Sequence, residues 1–141
     1  MIWKCTIPLE PMGKQRPRIA KRGQFARAYT PPKTKQWEKD AATVLRAHWR
    51  QLALTGPVRV DLVFYRKRTQ EMQRKKNREL TLCTVKPDID NAAKIALDSL
   101  VLAGVLLDDN IVTDLSCAKR WAAMGEPGRV EVTLALGVEI P

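Results

Sequence analysis

Asp88 and Asp90, separated by one residue, and the adjacent Asp108 and Asp109 are the side chains whose type and spacing suggest chemistry. Carboxylates brought close repel one another, and one of them resists ionisation unless a cation joins them. A set of oxygen ligands suits Mg²⁺, with Mn²⁺ as a substitute. Such an ion activates a bound water and polarises a phosphoryl oxygen. Asp88 and Asp90 are therefore the first candidate metal-ligating residues, to be joined by Asp108 or Asp109 if the chain reversal at Gly104 brings one of them back. An extended chain at 88–90 would point both carboxylates the same way and turn Ile89 toward the core. In a helix they would diverge. Pro87 fixes its own φ and pushes Lys86 toward extended geometry, which favours alignment. Helix capping accounts for one aspartate at a helix start. It does not account for two, followed by a second acidic group beyond the helix.

Lys94 lies four residues after Asp90, on the same helical face. Either it pairs with Asp90, or it reaches a phosphate and stabilises charge there. Asp98 continues that polar stripe in a structural or supporting role. His48, the single histidine, falls on or beside an apolar helical stripe and reads as a packed residue. Cys5, Cys83 and Cys117 form no CxxC pair, which argues for reduced thiols and against a zinc site.

The background of this acidic cluster is strongly basic. Lys and Arg total 25 against 15 Asp and Glu, a net charge of +10 over 141 residues. A polyanionic partner fits that balance, nucleic acid first and an acidic membrane surface second. No apolar run approaches the roughly 20 residues that span a bilayer, and the first residues lack the shape of a signal peptide. A cytoplasmic protein is the expectation. Two stretches concentrate the charge. Positions 13–32 carry Lys14, Arg16, Arg18, Lys21, Arg22 and Arg27 with no acid. Positions 66–78 hold seven basic residues and one glutamate and read as a mobile loop or frayed helix. Lys14, Arg16, Arg18, Lys21 and Arg22, with Arg66, Lys67, Arg68 and Lys86, are the candidate phosphate contacts.

The elements that must position these groups follow from periodicity. Residues 2–9 read as a strand, with another short one near 25–29. A helix is predicted over 33–54 from Trp37, Ala41, Val44, Leu45 and Leu52, capped by Thr34 and ended by Gly56-Pro57. Residues 58–65 alternate as a half-buried strand. A second helix is predicted over 91–103, with Ala93, Ala96, Leu97, Leu100 and Val101 inward and Gly104 closing it. Strands follow at 111–121 and 129–138. The order suggests an α+β layer fold, one domain over 1–141, with helices on one face of a sheet.

The block Lys86-Pro87-Asp88-Ile89-Asp90-Asn91, Lys94, Asp98, Gly104, Leu107-Asp108-Asp109 and Ile111-Val112 resembles the RusA family of Holliday-junction resolvases in order and spacing. Gly13-Lys14-Gln15-Arg16-Pro17-Arg18 and Tyr29-Thr30-Pro31 resemble family features as well. The resemblance implies a homodimer with a small mixed sheet and two helices, which cuts four-way DNA junctions by paired symmetric nicks with Mg²⁺. It matches Asp88, Asp90 and Asp109 to the catalytic aspartates and Lys94 to a functional lysine. A prophage origin is consistent with it. The 66–78 stretch is expanded relative to compact members. Two rival readings are a non-catalytic basic DNA-binding protein, whose aspartates cap a helix, and a nuclease for flaps or replication forks.

Overall fold

The computed structural model describes residues 1–15, 18–23, 25–29 and 31–137. Their elements run β1 (Ile2–Ile7), β2 (Arg18–Arg22), β3 (Phe25–Tyr29), α1 (Pro32–His48), β4 (Val58–Arg66), α2 (Ile89–Leu102), β5 (Val112–Trp121) and β6 (Arg129–Leu136). A four-stranded sheet has the order β1-β6-β4-β5, and β2 pairs with β3 in a separate hairpin. β4 is antiparallel to β6 and parallel to β5, so the sheet is mixed. The fold is α+β, as expected.

Alternation sets the core. Val58, Val60, Leu62 and Phe64 of β4 are buried, as are Val130, Val132 and Leu134 of β6 and Cys5 and Ile7 of β1. α1 adds Trp37, Ala41, Ala42 and Leu45, and α2 adds Ala92, Ile95, Ala96 and Leu100 to the same cluster. The intervening residues, such as Arg59, Lys4 and Thr6, face out. Both helices thus cover one face of the sheet, and burial of that face drives their docking.

α1 is shorter than its periodicity predicts. It ends at His48, where Trp49 leaves helical geometry at φ −104° and ψ 96°. Trp49 is buried, meets Trp3 edge-to-face at 5.2 Å between ring centroids, and donates from Nε1 to the Leu52 carbonyl. That tertiary contact ends the helix before Gly56-Pro57 can. Leu52 is left exposed. Thr34 does not cap α1; Pro31 holds the N-cap position, and Thr34 is buried in the first turn. His48 is exposed, its ring on the Val44 carbonyl, rather than packed.

α2 begins earlier than predicted. Asp88 is its extended N-cap, at φ −62° and ψ 143°, and Ile89 is already helical. Asp88 and Asp90 therefore do not share an extended segment. Two helical steps turn a side chain by roughly 200° about the axis. Ile89, expected to face the core, is 41% exposed. The far end follows expectation: Gly104 sits at φ +76°, its N–H bonds the Val101 carbonyl at 3.0 Å, and the Val105 N–H bonds that of Leu100 at 3.0 Å. This is the paired closure that a left-handed residue permits.

The two isoleucines of α2 offer a test. Ile95→Ala, at a fully buried position, should lower stability by about 2–5 kcal/mol in urea unfolding. Ile89→Ala should change it by less than about 1 kcal/mol. Equal losses at both positions would contradict the observed start of α2.

Candidate active site and nucleic-acid interface

Between β4 and β5 the chain carries every acidic candidate. Asp88 opens α2, and Asp90, Lys94 and Asp98 follow at four-residue steps along one face. Beyond the helix, Asp108 and Asp109 form the turn into β5. Asp108 Oδ1 accepts from the Asn110 N–H at 3.3 Å, which fixes a single 3₁₀ turn over Asp109–Ile111.

The carboxyls of Asp108 and Asp109 meet. Their mutual hydrogen bond holds Asp108 below the usual carboxylate range and pushes Asp109 above it. Two carboxyls in such contact titrate as a pair rather than singly. Asp109 is raised further by the charge of Asp98 and lowered by that of Lys94. The turn thus returns to the Lys94–Asp98 face of α2. Among the described residues, no three acidic side chains are close enough to share an ion. Asp88, Asp90 and Asp109 are therefore not gathered into one ligand set within the single chain.

A groove of about 620 Å³ lies beside Asp88, walled by the 10–15 segment on one side and by Arg66, Lys86 and Pro87 on the other. Asp88 lines it and Asp90 does not, as their divergence on the helix requires. The walls approach closely: a Cβ on Gly13 would stand 3.2 Å from Cβ atoms of both Asn91 and Pro87. The Lys14 N–H bonds the Asn91 carbonyl at 3.0 Å and ties this segment to the first turn of α2.

The basic candidates divide into exposed and committed groups. Lys67 and Lys86 are exposed, and so is Lys21 on β2. Arg18 and Arg22 belong to β2 as well, while Arg16 lies outside the described residues. Arg66 is half-buried, donates to the Lys86 carbonyl and stands 3.6 Å from Glu10. Lys14, expected to hold phosphate, is instead committed to the fold. Its ammonium bonds Glu38 of α1 and lies 3.1 Å from Asp98 of α2. Arg68, also expected at phosphate, is 7% exposed with its guanidinium turned inward. Lys94 forms no ion pair with any described residue and is exposed.

Sequence reasoning missed Glu10 and Glu38, and it quoted Asn91 only within the motif, without its backbone bond to Lys14. Glu10 accepts from the Lys67 N–H at 3.1 Å and stands against Arg66, which aligns the end of β4 beside the groove. No spacing rule links position 10 to 66, or 14 to 38.

The chain thus combines an α+β fold, a groove lined by both cations and carboxylates, and an acidic stripe on α2. The chain belongs to the endodeoxyribonuclease RusA family, whose pattern it matches over residues 8–135. It is also similar to an uncharacterised protein, YqaN, of Bacillus subtilis, with 31% identity over 137 residues covering 93% of this chain and 94% of that one. No helix among the described residues is long and apolar enough to cross a membrane.

Burial alone would lower the Lys14 pKa, but the bonds to Glu38 and Asp98 outweigh it and raise the ammonium above its ordinary value. A cation with a raised folded-state pKa contributes stability that is complete below its unfolded pKa and is lost as pH rises through the folded one. Lys14→Met should therefore lower stability at neutral pH by about 1–2 kcal/mol, less than for a fully buried pair. The gap from wild type should close in strongly alkaline urea titrations. A gap independent of pH would show that the charge is not what matters.

Proposed function

We propose that this protein is a Mg²⁺-dependent endonuclease that resolves four-way DNA junctions by paired symmetric nicks, acting as a homodimer. The observation that carries the reading is the groove that Asp88 lines together with Arg66 and Lys86. An acid for a hard cation and bases for a phosphodiester line the same groove. Membership of an endodeoxyribonuclease family agrees with that chemistry.

The donors suit the ion in kind: all are oxygens, and Mg²⁺ is commonly held by one or two carboxylates together with substrate phosphates. Asp88, Asp90 and Asp109, with Asp108 beside it, stand apart in the free chain and are the residues that would have to close on the ion to hold it, with phosphate oxygens and waters filling the other positions. When bound, the ion would supply an activated water and a polarised phosphoryl group. The chain's own groups do the rest. Lys86, exposed at the groove, holds the strand, and Arg66 positions Lys86 by donating to its carbonyl. Lys94 places a positive charge beside Asp109 and is available to a phosphate oxygen, since no described carboxylate within reach engages it. Exposed cations around the groove retain the flanking duplex. A two-fold protein presents two identical sites to a substrate of approximate two-fold symmetry.

The decisive experiment is cleavage of a mobile four-way junction in Mg²⁺, with products mapped on all four strands. Symmetric nicks in opposed strands are expected. Asp88→Asn and Asp109→Asn should each remove cleavage while keeping junction binding in Ca²⁺. Cutting of flaps or forks in preference to junctions would reassign the substrate. Binding without cleavage in either Mg²⁺ or Mn²⁺ would leave a non-catalytic DNA-binding protein.

A further inference from the structure

The segment between β4 and Lys86 is built around a buried arginine. Arg68 donates from Nε to the Ala122 carbonyl at 2.9 Å, from one terminal nitrogen to Met72 and Asn77 at 3.2 and 3.3 Å, and from the other to Leu80 at 2.8 Å. Most of its five N–H donors are thus satisfied by backbone oxygens. No carboxylate pairs with it among the described residues.

Around this hub the chain makes two single 3₁₀ turns, Glu71–Gln73 and Lys75–Asn77. The turns are cross-tied by Asn77 Nδ2 to the Glu71 carbonyl at 2.8 Å and by Gln73 Nε2 to that of Arg68 at 3.3 Å. The far end is pinned to β5, with the Trp121 N–H on the Thr81 carbonyl at 2.7 Å and Leu82 bridged to Arg120. The run expected to be a mobile loop is therefore an organised one. What it displays is positive: Lys67, Arg74, Lys75, Lys76 and Arg78 are exposed, against Glu71 and Glu79. None of the five has an ion pair among the described residues.

Rigid display of unpaired cations has no benefit for the fold, because like charges held close repel. A buried guanidinium without a counter-ion adds to that potential. The missing charge is supplied most simply by closely spaced phosphates. The segment also leads through Lys86 into the groove at Asp88.

We propose that residues 67–80 form a preorganised platform for the phosphates of a DNA arm, and that Arg68 is its internal brace rather than a phosphate contact. This rests on the nucleic-acid reading above but not on catalysis. In the bound complex the exposed lysines and arginines touch the backbone, while Arg68 lowers the ordering penalty that a loose loop would carry into binding.

Salt dependence separates these roles, because its slope counts phosphate contacts and its intercept reports everything else. Binding of the full chain to a four-way junction would be measured in Ca²⁺, without cleavage, across a salt series. Lys75→Ala/Lys76→Ala should weaken binding and reduce the slope of log K against log salt by about 1.8, at about 0.9 per contact. Arg68→Met should weaken binding with the slope unchanged, and Arg68→Lys should not restore it, since an ammonium cannot serve carbonyls spread across a planar fork. Asn77→Ala, a milder loosening of the same turns, should act in the same direction and remains readable if Arg68→Met does not fold. A slope lower by about 0.9 in Arg68→Met would make Arg68 a direct phosphate contact and overturn the brace. Wild-type affinity and slope in the double lysine variant would remove the platform while leaving junction cleavage untouched. Absence of DNA binding by the wild type would overturn the platform and the nucleic-acid reading together.

Discussion

The parallel pairing of β4 with β5 governs where the chemistry lies. Parallel neighbours cannot be joined by a tight turn, so the connection must carry the chain from one end of the strand pair to the other. Here it leaves at Arg66, beside the end of β5 at Trp121, and returns at Val112, beside Val58. The braced basic segment, the groove wall, Asp88, α2 and the Asp108–Asp109 turn all occupy that single connection. α2 lies over the buried face of the sheet, and this fixes which of its residues remain outside.

The same constraint separates the acids. Asp88 and Asp109 flank a helix of 14 residues, about 21 Å long. Gly104 reverses the chain and the turn at Asp108 returns to the charges of Lys94 and Asp98. Asp90 stands one helical turn from Lys94, whereas Asp88 looks into the groove. The acidic residues therefore form a stripe along the helix with the Asp108–Asp109 pair beside it, rather than one closed cage. An open arrangement suits an ion that keeps several positions for water and phosphate.

Much of the scaffold was legible in the sequence. Alternation identified β4 and β6, and the αL glycine after α2 was placed correctly. Local pattern failed where tertiary contacts decide. Trp49 ends α1 because Trp3 packs on it, and nothing near position 49 signals that. The start of α2 was misplaced because Pro87 suggested continued extension, yet Asp88 alone takes the extended cap. Ile89 then rotates outward and the expected alignment of Asp88 with Asp90 is lost. In the candidate site, residue type was legible but commitment was not. Arg68 is spelled like its basic neighbours, and only the fold turns it inward. Lys14 sits in an acid-free run, yet its partners Glu38 and Asp98 come from two distant helices. Net charge reported that a polyanion is expected without reporting which cations remain to meet it.

That division of cations bears on Lys94. Its spacing to Asp98 is the ordinary one for an ion pair on a helix, and such a pair would tie down the ammonium next to Asp109. Instead Asp98 is engaged by Lys14, which arrives from the N-terminal segment and is shared with Glu38. That acid already has a partner, and Lys94 is exposed with no ion pair among the described residues. The bridge that joins the two helices therefore also sorts the charges on α2: the half-buried Lys14 ties the helices together, and the exposed Lys94 is left without an ion pair among the described residues.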